Sequence, residues 1–168
     1  MKPDLRIRPE EPGDRSALHA LHAAAFGQEA EATLVDQLRA NGDLVLSLVA
    51  DAGGPVGHIA FSRLTMPDAP ALRACALAPL AVLPHVQGRG IGSALVRDGL
   101  ERLAGLGWDL ALVLGEPGYY GRFGFSAEAA RAFETPYDGP YLQALALSAE
   151  GKGARGAVSY ARAFAELP

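Results

Sequence analysis

The sequence has few of the residues that would support several common classes of function. Its 168 residues include one cysteine, Cys75, so no disulfide can form within the chain. No Cys/His cluster has metal-ligand spacing, and no run approaches the ~20 apolar residues that a membrane-spanning helix needs. The formal net charge is −4 and the basic residues are scattered singly, which argues against binding to nucleic acid phosphates. We therefore expect a cytoplasmic protein whose partner is a small molecule, without metal, membrane or nucleic acid.

The apolar residues are sufficient for one well-buried core. They make up 49% of the chain, and the length suits a single domain spanning residues 1–168. The hydrophobic periodicity predicts helices after Asp14, Gly27 and Gly90, with Phe26 and Leu106 facing the core. Asp14 is a candidate N-cap, Cys75 lies in a small apolar setting typical of a core, and 148–155 is expected to be a mobile surface loop. The predicted strands are 5–8, 44–50, 56–64, 72–83, 110–114, 141–147 and 156–160.

Pro79 interrupts the long apolar strand predicted at 72–83. Proline has no backbone N–H to donate to a neighbouring strand. We therefore expect either a bulge or a departure from the adjacent strand at this point.

Three alternating glycines follow this strand and lead into a helix. Gly88, Gly90 and Gly92 leave backbone N–H groups open to close approach by an anion. The helix that follows directs its partially positive end toward the same place. The segment therefore predicts a binding site for a phosphate group.

Two common phosphate motifs do not fit this segment. A P-loop requires Lys and then Ser/Thr after its last glycine, whereas Gly92 is followed by Ser93 and Ala94. A dinucleotide-binding fingerprint requires a third glycine where Ser93 stands, and its fold does not begin with two helices and a hairpin. A triphosphatase and a nucleotide-dependent oxidoreductase are therefore disfavoured.

A third pattern does fit. Residues 87–92 match Gln/Arg-x-x-Gly-x-Gly/Ala at a strand-to-helix turn, and residues 120–125 match Tyr-x-x-x-Gly-Phe. With this order of elements, the chain resembles the GNAT superfamily of N-acetyltransferases over nearly its whole length. The doublet Tyr119-Tyr120 is similar to that of a bacterial subgroup of predicted acetyltransferases. The resemblance implies an α+β (mixed α/β) fold, whose central, mostly antiparallel twisted sheet has a splayed parallel pair and helices on both faces.

The resemblance also implies acetyl-CoA, or a related acyl-CoA, as cosubstrate. Its pyrophosphate would lie on the amides of residues 87–92, and its pantetheine arm would pair with the strand edge at residues 80–82 like an added strand. Arg89 either adds charge near a phosphate or is solvated, and Gln87 either closes the loop through its side chain or only offers its backbone N–H. The implied cofactor-binding residues are Leu80, Ala81, Val82, Gln87, Gly88, Arg89, Gly90, Ile91, Gly92 and Ser93.

Acyl transfer from a thioester to an amine requires a protonated leaving thiolate. Tyr120 matches the family's tyrosine in that role of general acid, and a phenol held within hydrogen-bond reach can supply the proton. The alternative is an aromatic residue that packs on Phe123 and Phe125. Tyr119 is expected to be a pocket wall or a core residue.

The general base and the acceptor are not identified by the sequence. The candidates for the base are Glu116, His58 and His85, and Glu116 would alternatively bind a cationic substrate or cap the next turn; Glu29 and Glu31 would border the acceptor site or complement a helix start. The acceptor is a small-molecule or peptide amine. A sensor that binds acyl-CoA without turnover is the alternative function, and an exposed strand edge near the C-terminus would support a homodimer.

Overall fold

The computed structural model describes residues 4–167. This part of the chain contains eight strands and six α-helices. They are β1 (Arg6–Pro9), α1 (Arg15–Phe26), α2 (Ala30–Ala40), β2 (Leu44–Asp51), β3 (Pro55–Leu64), β4 (Ala74–Val82), α3 (Ile91–Gly105), β5 (Leu110–Leu114), α4 (Pro117–Tyr120), α5 (Ala127–Ala130), β6 (Phe133–Glu134), β7 (Leu142–Ala146), α6 (Ala149–Lys152) and β8 (Gly156–Ala157). None of the helices within residues 4–167 is both long enough and apolar enough to cross a membrane.

The central sheet confirms the expected mixed topology. Its strand order is β1-β2-β3-β4-β5-β7, and all neighbours are antiparallel except β4 and β5. The parallel pair is joined by α3, as a crossover connection requires. Strand β8 lies outside this sheet, because it pairs with β6 in a separate two-stranded sheet.

Helices cover both faces of the sheet, as expected. Alternation along a strand sends Leu48 and Ala50 toward the layer that contains α3, and Val49 toward α1. Gly99 allows α3 to approach β3 closely, since a Cβ there would lie 2.6 Å from the Phe61 ring. Cys75 is fully buried, and burial raises the pKa of its thiol to about 12, which confirms it as a core residue.

Pro79 produces both of the predicted irregularities. Ile59 pairs with Leu80, but Phe61 pairs with Leu77, so two residues of β4 stand opposite one residue of β3. The parallel pairing with β5 ends at Leu77 and Val113. Beyond that point β4 remains paired to β3 only, and the sheet opens between β4 and β5.

Four local predictions were wrong. Asp14 stands at the N-cap position of α1 but does not cap it, because its carboxylate accepts two hydrogen bonds from the Arg8 guanidinium, at 2.7 and 2.9 Å. Phe26 is 40% exposed because it borders a cavity, and Leu106 is 57% exposed because α3 ends one residue earlier. The segment 148–155 includes α6, whose Gly151 is buried against the backbone of Asp109.

Candidate active site

Two cavities lie beside the opening between β4 and β5. One, the cradle cavity, has a volume of about 520 Å³ and is lined by Leu80, Val82, the glycine segment and the start of α3. The other, the acceptor-side cavity, has a volume of about 310 Å³ and is lined by residues 76–80, the end of β5 and aromatic side chains. Leu80 borders both cavities, so they meet at the point where the two strands diverge.

The glycine segment forms a cradle of backbone N–H groups. Gly88 and Gly90 have φ of +78° and +82°, and the first helical hydrogen bond of α3 runs from the Ala94 N–H to the Gly90 carbonyl. Within residues 4–167, the N–H groups from Gly88 to Ser93 have no acceptor. They lie at the positive end of α3, so the segment suits an anionic group.

Gln87 closes this loop. Its side-chain Nε2 donates to the Val82 carbonyl at 2.9 Å, which ties the loop back to the end of β4. Of the two interpretations that the sequence left open, the geometry matches closure by the side chain.

Gly92 is glycine for a different reason from Gly88 and Gly90. Its φ is not positive, but a Cβ there would lie 3.1 Å from the Tyr119 hydroxyl. That hydroxyl lies 3.3 Å from Ser93 Oγ. Tyr119 is therefore a wall of the cradle cavity, one of the two positions that we expected.

Two arginines lie near the cradle, and the sequence singled out only one of them. The Arg89 side chain is exposed and is not among the groups that line the cavity. Arg122 does line it, with its guanidinium carbon 5.6 Å from the centre of the Tyr119 ring. Its position within the Tyr-x-x-x-Gly-Phe element was the signal that could have identified it.

The three strand residues predicted to hold the cofactor differ in orientation. The Leu80 and Val82 side chains line the cradle cavity. The Ala81 side chain is buried on the opposite face, against Leu18 and Leu21 of α1. The Ala81 backbone is turned toward β3, because Leu83 donates its N–H to the Val56 carbonyl and every second residue of an antiparallel strand faces the same neighbour. The backbone contact that we expected of all three residues is therefore open to Leu80 and Val82 and not to Ala81.

Tyr120 faces the acceptor-side cavity rather than the cradle. Its ring packs edge-on against Phe125 at 5.9 Å and against Tyr119 at 5.0 Å. Its hydroxyl has no hydrogen-bond partner among residues 4–167. Burial, together with Tyr119, raises the pKa of Tyr120 to about 12, so the phenol stays protonated at neutral pH.

Gly115 makes room for Tyr120. A Cβ on Gly115 would lie only 2.4 and 2.8 Å from two carbons of that ring. The Gly115 N–H donates to the Tyr141 carbonyl at 3.1 Å, and its carbonyl accepts from Gln143 Nε2 at 3.0 Å. The backbone that positions the tyrosine is thus anchored on both sides.

The histidine candidates for a base do not line either cavity. His58 is fully buried, and its ring nitrogens lie 2.8 Å from His22 and 2.7 Å from Ser47. Burial lowers the pKa of His58, although Glu10 opposes that shift. His85 is exposed in the turn before the cradle.

Of the three carboxylate candidates, only Glu31 lines a cavity within residues 4–167. Glu116 is exposed at the start of α4 without capping it, and Glu29 pairs with His19 at 2.6 Å. Glu31 is the one acidic side chain among residues 4–167 that lines the acceptor-side cavity. The sequence considered it only as a helix-start residue or a border of the acceptor site.

Comparison with known proteins places this arrangement in a family. Residues 43–127 match the model of the acetyltransferase (GNAT) domain. The N-acetyltransferase YhbS of Escherichia coli strain K12 is 39% identical over 127 residues, which cover 74% of this chain and 75% of YhbS.

Two solved structures are similar over nearly the whole chain. The structure of E. coli YhbS in complex with CoA matches with a TM-score of 0.90 and 34% identity, over 100% of this chain and 97% of that one. A GNAT family acetyltransferase from Brucella melitensis in complex with acetyl-CoA matches with a TM-score of 0.81 and 38% identity, over 96% and 98% of the two chains.

Proposed function

The chain belongs to the GNAT family of N-acetyltransferases, and on that premise we propose that it transfers the acetyl group of acetyl-CoA directly to a primary amine. In this proposal residues 1–168 form one catalytic domain, with the cradle cavity for the cosubstrate and the acceptor-side cavity for the amine. The observation that carries it is the run of N–H groups from Gly88 to Ser93, which find no acceptor among residues 4–167 and lie beside Leu80, where the two cavities meet.

The cradle fits the diphosphate of CoA. Charge-assisted hydrogen bonds from several backbone N–H groups, together with the dipole of α3, favour a group with two negative charges. Arg122 adds a cation on the same wall. YhbS in complex with CoA and the Brucella protein in complex with acetyl-CoA support this assignment.

The pantetheine arm then lies along β4. From Ala78 onward this strand is paired on the β3 side only, so its other edge faces the opening. The backbone groups of Leu80 and Val82 face this open edge and are positioned to pair with the arm as with an added strand, whereas those of Ala81 are turned toward β3. The thioester would reach the junction at Leu80, next to the cavity that contains Tyr120.

Tyr120 serves as the proton donor. As the amine nitrogen bonds to the thioester carbon, the carbon–sulfur bond breaks, the thiolate takes the phenol proton, and the phenolate recovers a proton from the new amide nitrogen. A complete transfer from a phenol of pKa about 12 to a thiolate of pKa ~8.5 would be uphill by about 5 kcal/mol. The two proton movements are therefore coupled rather than sequential.

The amine must lose a proton before it attacks. A lysine-like amine of pKa ~10.4 costs about 4.6 kcal/mol to deprotonate at pH 7. His58 is excluded as the direct base by its burial, and Glu31 is the acidic group that lines the acceptor-side cavity within residues 4–167. A water path to solvent through the open mouth of this cavity also suits the geometry.

The test compares two adjacent tyrosines. Tyr120→Phe should retain acetyl-CoA binding and lower kcat at least tenfold, because general acid catalysis contributes roughly 10²–10⁴-fold. Tyr119→Phe removes a hydroxyl of the cradle wall and should change KM for acetyl-CoA more than kcat. Release of free CoA thiol with a panel of amines measures both variants, and an unchanged kcat in Tyr120→Phe would remove it as the acid.

Binding separates an enzyme from a sensor. Acetyl-CoA should raise the thermal unfolding midpoint, since a ligand of the native state stabilises it by mass action, whereas NADH and ATP should not. Binding without thiol release for any amine would instead support a domain that senses acyl-CoA.

A further inference from the structure

The acceptor-side cavity combines one carboxylate with apolar and aromatic walls. Among the side chains from residues 4–167 that line it, Glu31 carries the only charge, and the others are apolar or aromatic. A ligand for such a site needs one cationic group and a body that gains by leaving water.

Three of the aromatic side chains that line the cavity pack against one another. Tyr160 packs edge-on against Tyr137 at 4.9 Å and against Phe164 at 5.4 Å. Phe26 and Leu167 border the same cavity with 40% and 37% of their surface exposed. These exposed apolar groups would be covered by an apolar ligand, and edge-to-face packing suits an aromatic one.

Glu31 is placed to receive an ammonium group. It lies in the first turn of α2 and is partly buried. Its two carboxylate oxygens accept from Gln28 Nε2 at 3.0 and 3.2 Å, which leaves other lone pairs available. Tyr120 lines the same cavity.

We propose that the acceptor is a monoamine on an aromatic or bulky apolar body without a carboxylate, and that Glu31 binds its ammonium group on entry. This substrate class rests on the proposed acetyl transfer. A free amino acid would bring a carboxylate to a cavity whose described lining has no basic side chain, and a polyamine would bring several cations to one carboxylate. A peptide would bring main-chain polar groups against apolar walls.

The cavity volume limits the size of this amine. A volume of about 310 Å³ corresponds to on the order of ten water-sized groups at ~30 Å³ each. A phenyl ring on a two-carbon amine fits that space, so 2-phenylethylamine is the probe.

The test measures binding without turnover. Calorimetric titration of the complex with CoA, which has no acetyl group to transfer, should give at least tenfold tighter binding of 2-phenylethylamine than of L-phenylalanine, spermidine or an amidated tetra-alanine peptide. Glu31→Gln should weaken 2-phenylethylamine binding at least tenfold. Glu29→Gln is the matched control two residues earlier, exposed and outside the cavity lining, and should stay within twofold of the wild type.

Turnover gives the second readout. With acetyl-CoA, Glu31→Gln should raise KM for 2-phenylethylamine at least tenfold and change kcat less, as expected for a binding residue. A decrease confined to kcat would overturn the assignment of Glu31 to ammonium binding.

The outcomes distinguish this inference from the function on which it rests. Equal or tighter binding of spermidine, phenylalanine or the peptide, with acetylation of any of them, would overturn the substrate class and leave acetyl transfer intact. If 2-phenylethylamine binds but acetyl-CoA releases no CoA thiol in the presence of this or any other amine, acetyl transfer itself is overturned and, with it, the role of this ligand as acceptor.

Discussion

Substituting alanine for Gly115 should separate the position of Tyr120 from the stability of the fold. The added Cβ would lie 2.4 Å from the Tyr120 ring, far inside van der Waals contact. Hydrogen bonds to the Tyr141 carbonyl and from Gln143 hold the Gly115 backbone in place, so the Tyr120 ring must move instead. The ring borders an open cavity, and it can therefore move without compressing the core.

The loss of stability in Gly115→Ala should be small, whereas the loss of rate should be large. Overpacking a closed core costs about 1–3 kcal/mol, and the open side of the ring should keep this cost near the lower limit, at about 1 kcal/mol. Displacing a catalytic group by about 1 Å costs on the order of 10²-fold in rate. We therefore expect Gly115→Ala to lower kcat by ten- to a hundredfold with little change in acetyl-CoA binding, which depends on the other cavity.

Urea unfolding measures the free energy of unfolding, titration with acetyl-CoA measures cosubstrate binding, and CoA thiol release measures kcat. Gly118→Ala is the matched control, because Gly118 lies in α4, the short helix that ends at Tyr120, and a Cβ there meets nothing within 4 Å. The double variant with Tyr120→Phe should be no slower than Tyr120→Phe alone, since both remove the same proton donor. A further tenfold loss in the double variant would refute the argument that Gly115 acts through the Tyr120 hydroxyl.

Three other predictions address the cradle and the core. Gly90→Val should weaken acetyl-CoA binding at least tenfold in a protein that still folds, because a β-branched residue is strained at φ +82°, and full affinity measured by calorimetry would show that the cradle is only a turn. Arg122→Ala should raise KM for acetyl-CoA several-fold and reduce its salt dependence, whereas Arg89→Ala should change little; the opposite ranking would move the phosphate contact to Arg89. Burial lowers the pKa of His22 to about 3, so below pH 6.5 the folded state binds fewer protons than the unfolded state. Through this residue the free energy of unfolding should fall by about 2 kcal/mol between pH 7 and pH 5. Urea unfolding should show a smaller fall in His22→Gln, and a flat wild-type profile would contradict this.

Individual elements and the cradle were predictable because their causes are local in the sequence, whereas the fold was implied by the family resemblance. Helical periodicity located α3, and β5 has the bounds that its apolar run predicted. Proline chemistry alone predicted a bulge or a departure from the neighbouring strand at Pro79, and the structure has both. The spacing of glycines between a strand and a helix depends on neighbouring residues only, so the phosphate site could be proposed without tertiary contacts.

The wrong predictions arose where contacts between separate elements overrode the local pattern. Phe26 was expected in the core because periodicity gives a helix face but not what lies opposite it. Asp14 was expected to cap α1, but Arg8 from another element takes its carboxylate. His58 is a plausible base by residue type. Its ring nitrogens instead contact His22 of α1 and Ser47 of β2, and neither contact can be read from the sequence around His58.

Sequence patterns alone carried the family resemblance, predicted an anion-binding turn and made Tyr120 a candidate proton donor. The packing of the elements set which cavity each side chain lines: Tyr119 lines the cradle cavity and Tyr120 the acceptor-side cavity, although they are adjacent in the chain. It also decided that Arg122 lies on the cradle wall and Glu31 on the acceptor side. The physical reason is that a cavity forms where separate elements diverge, so its walls come from residues whose proximity no local pattern encodes.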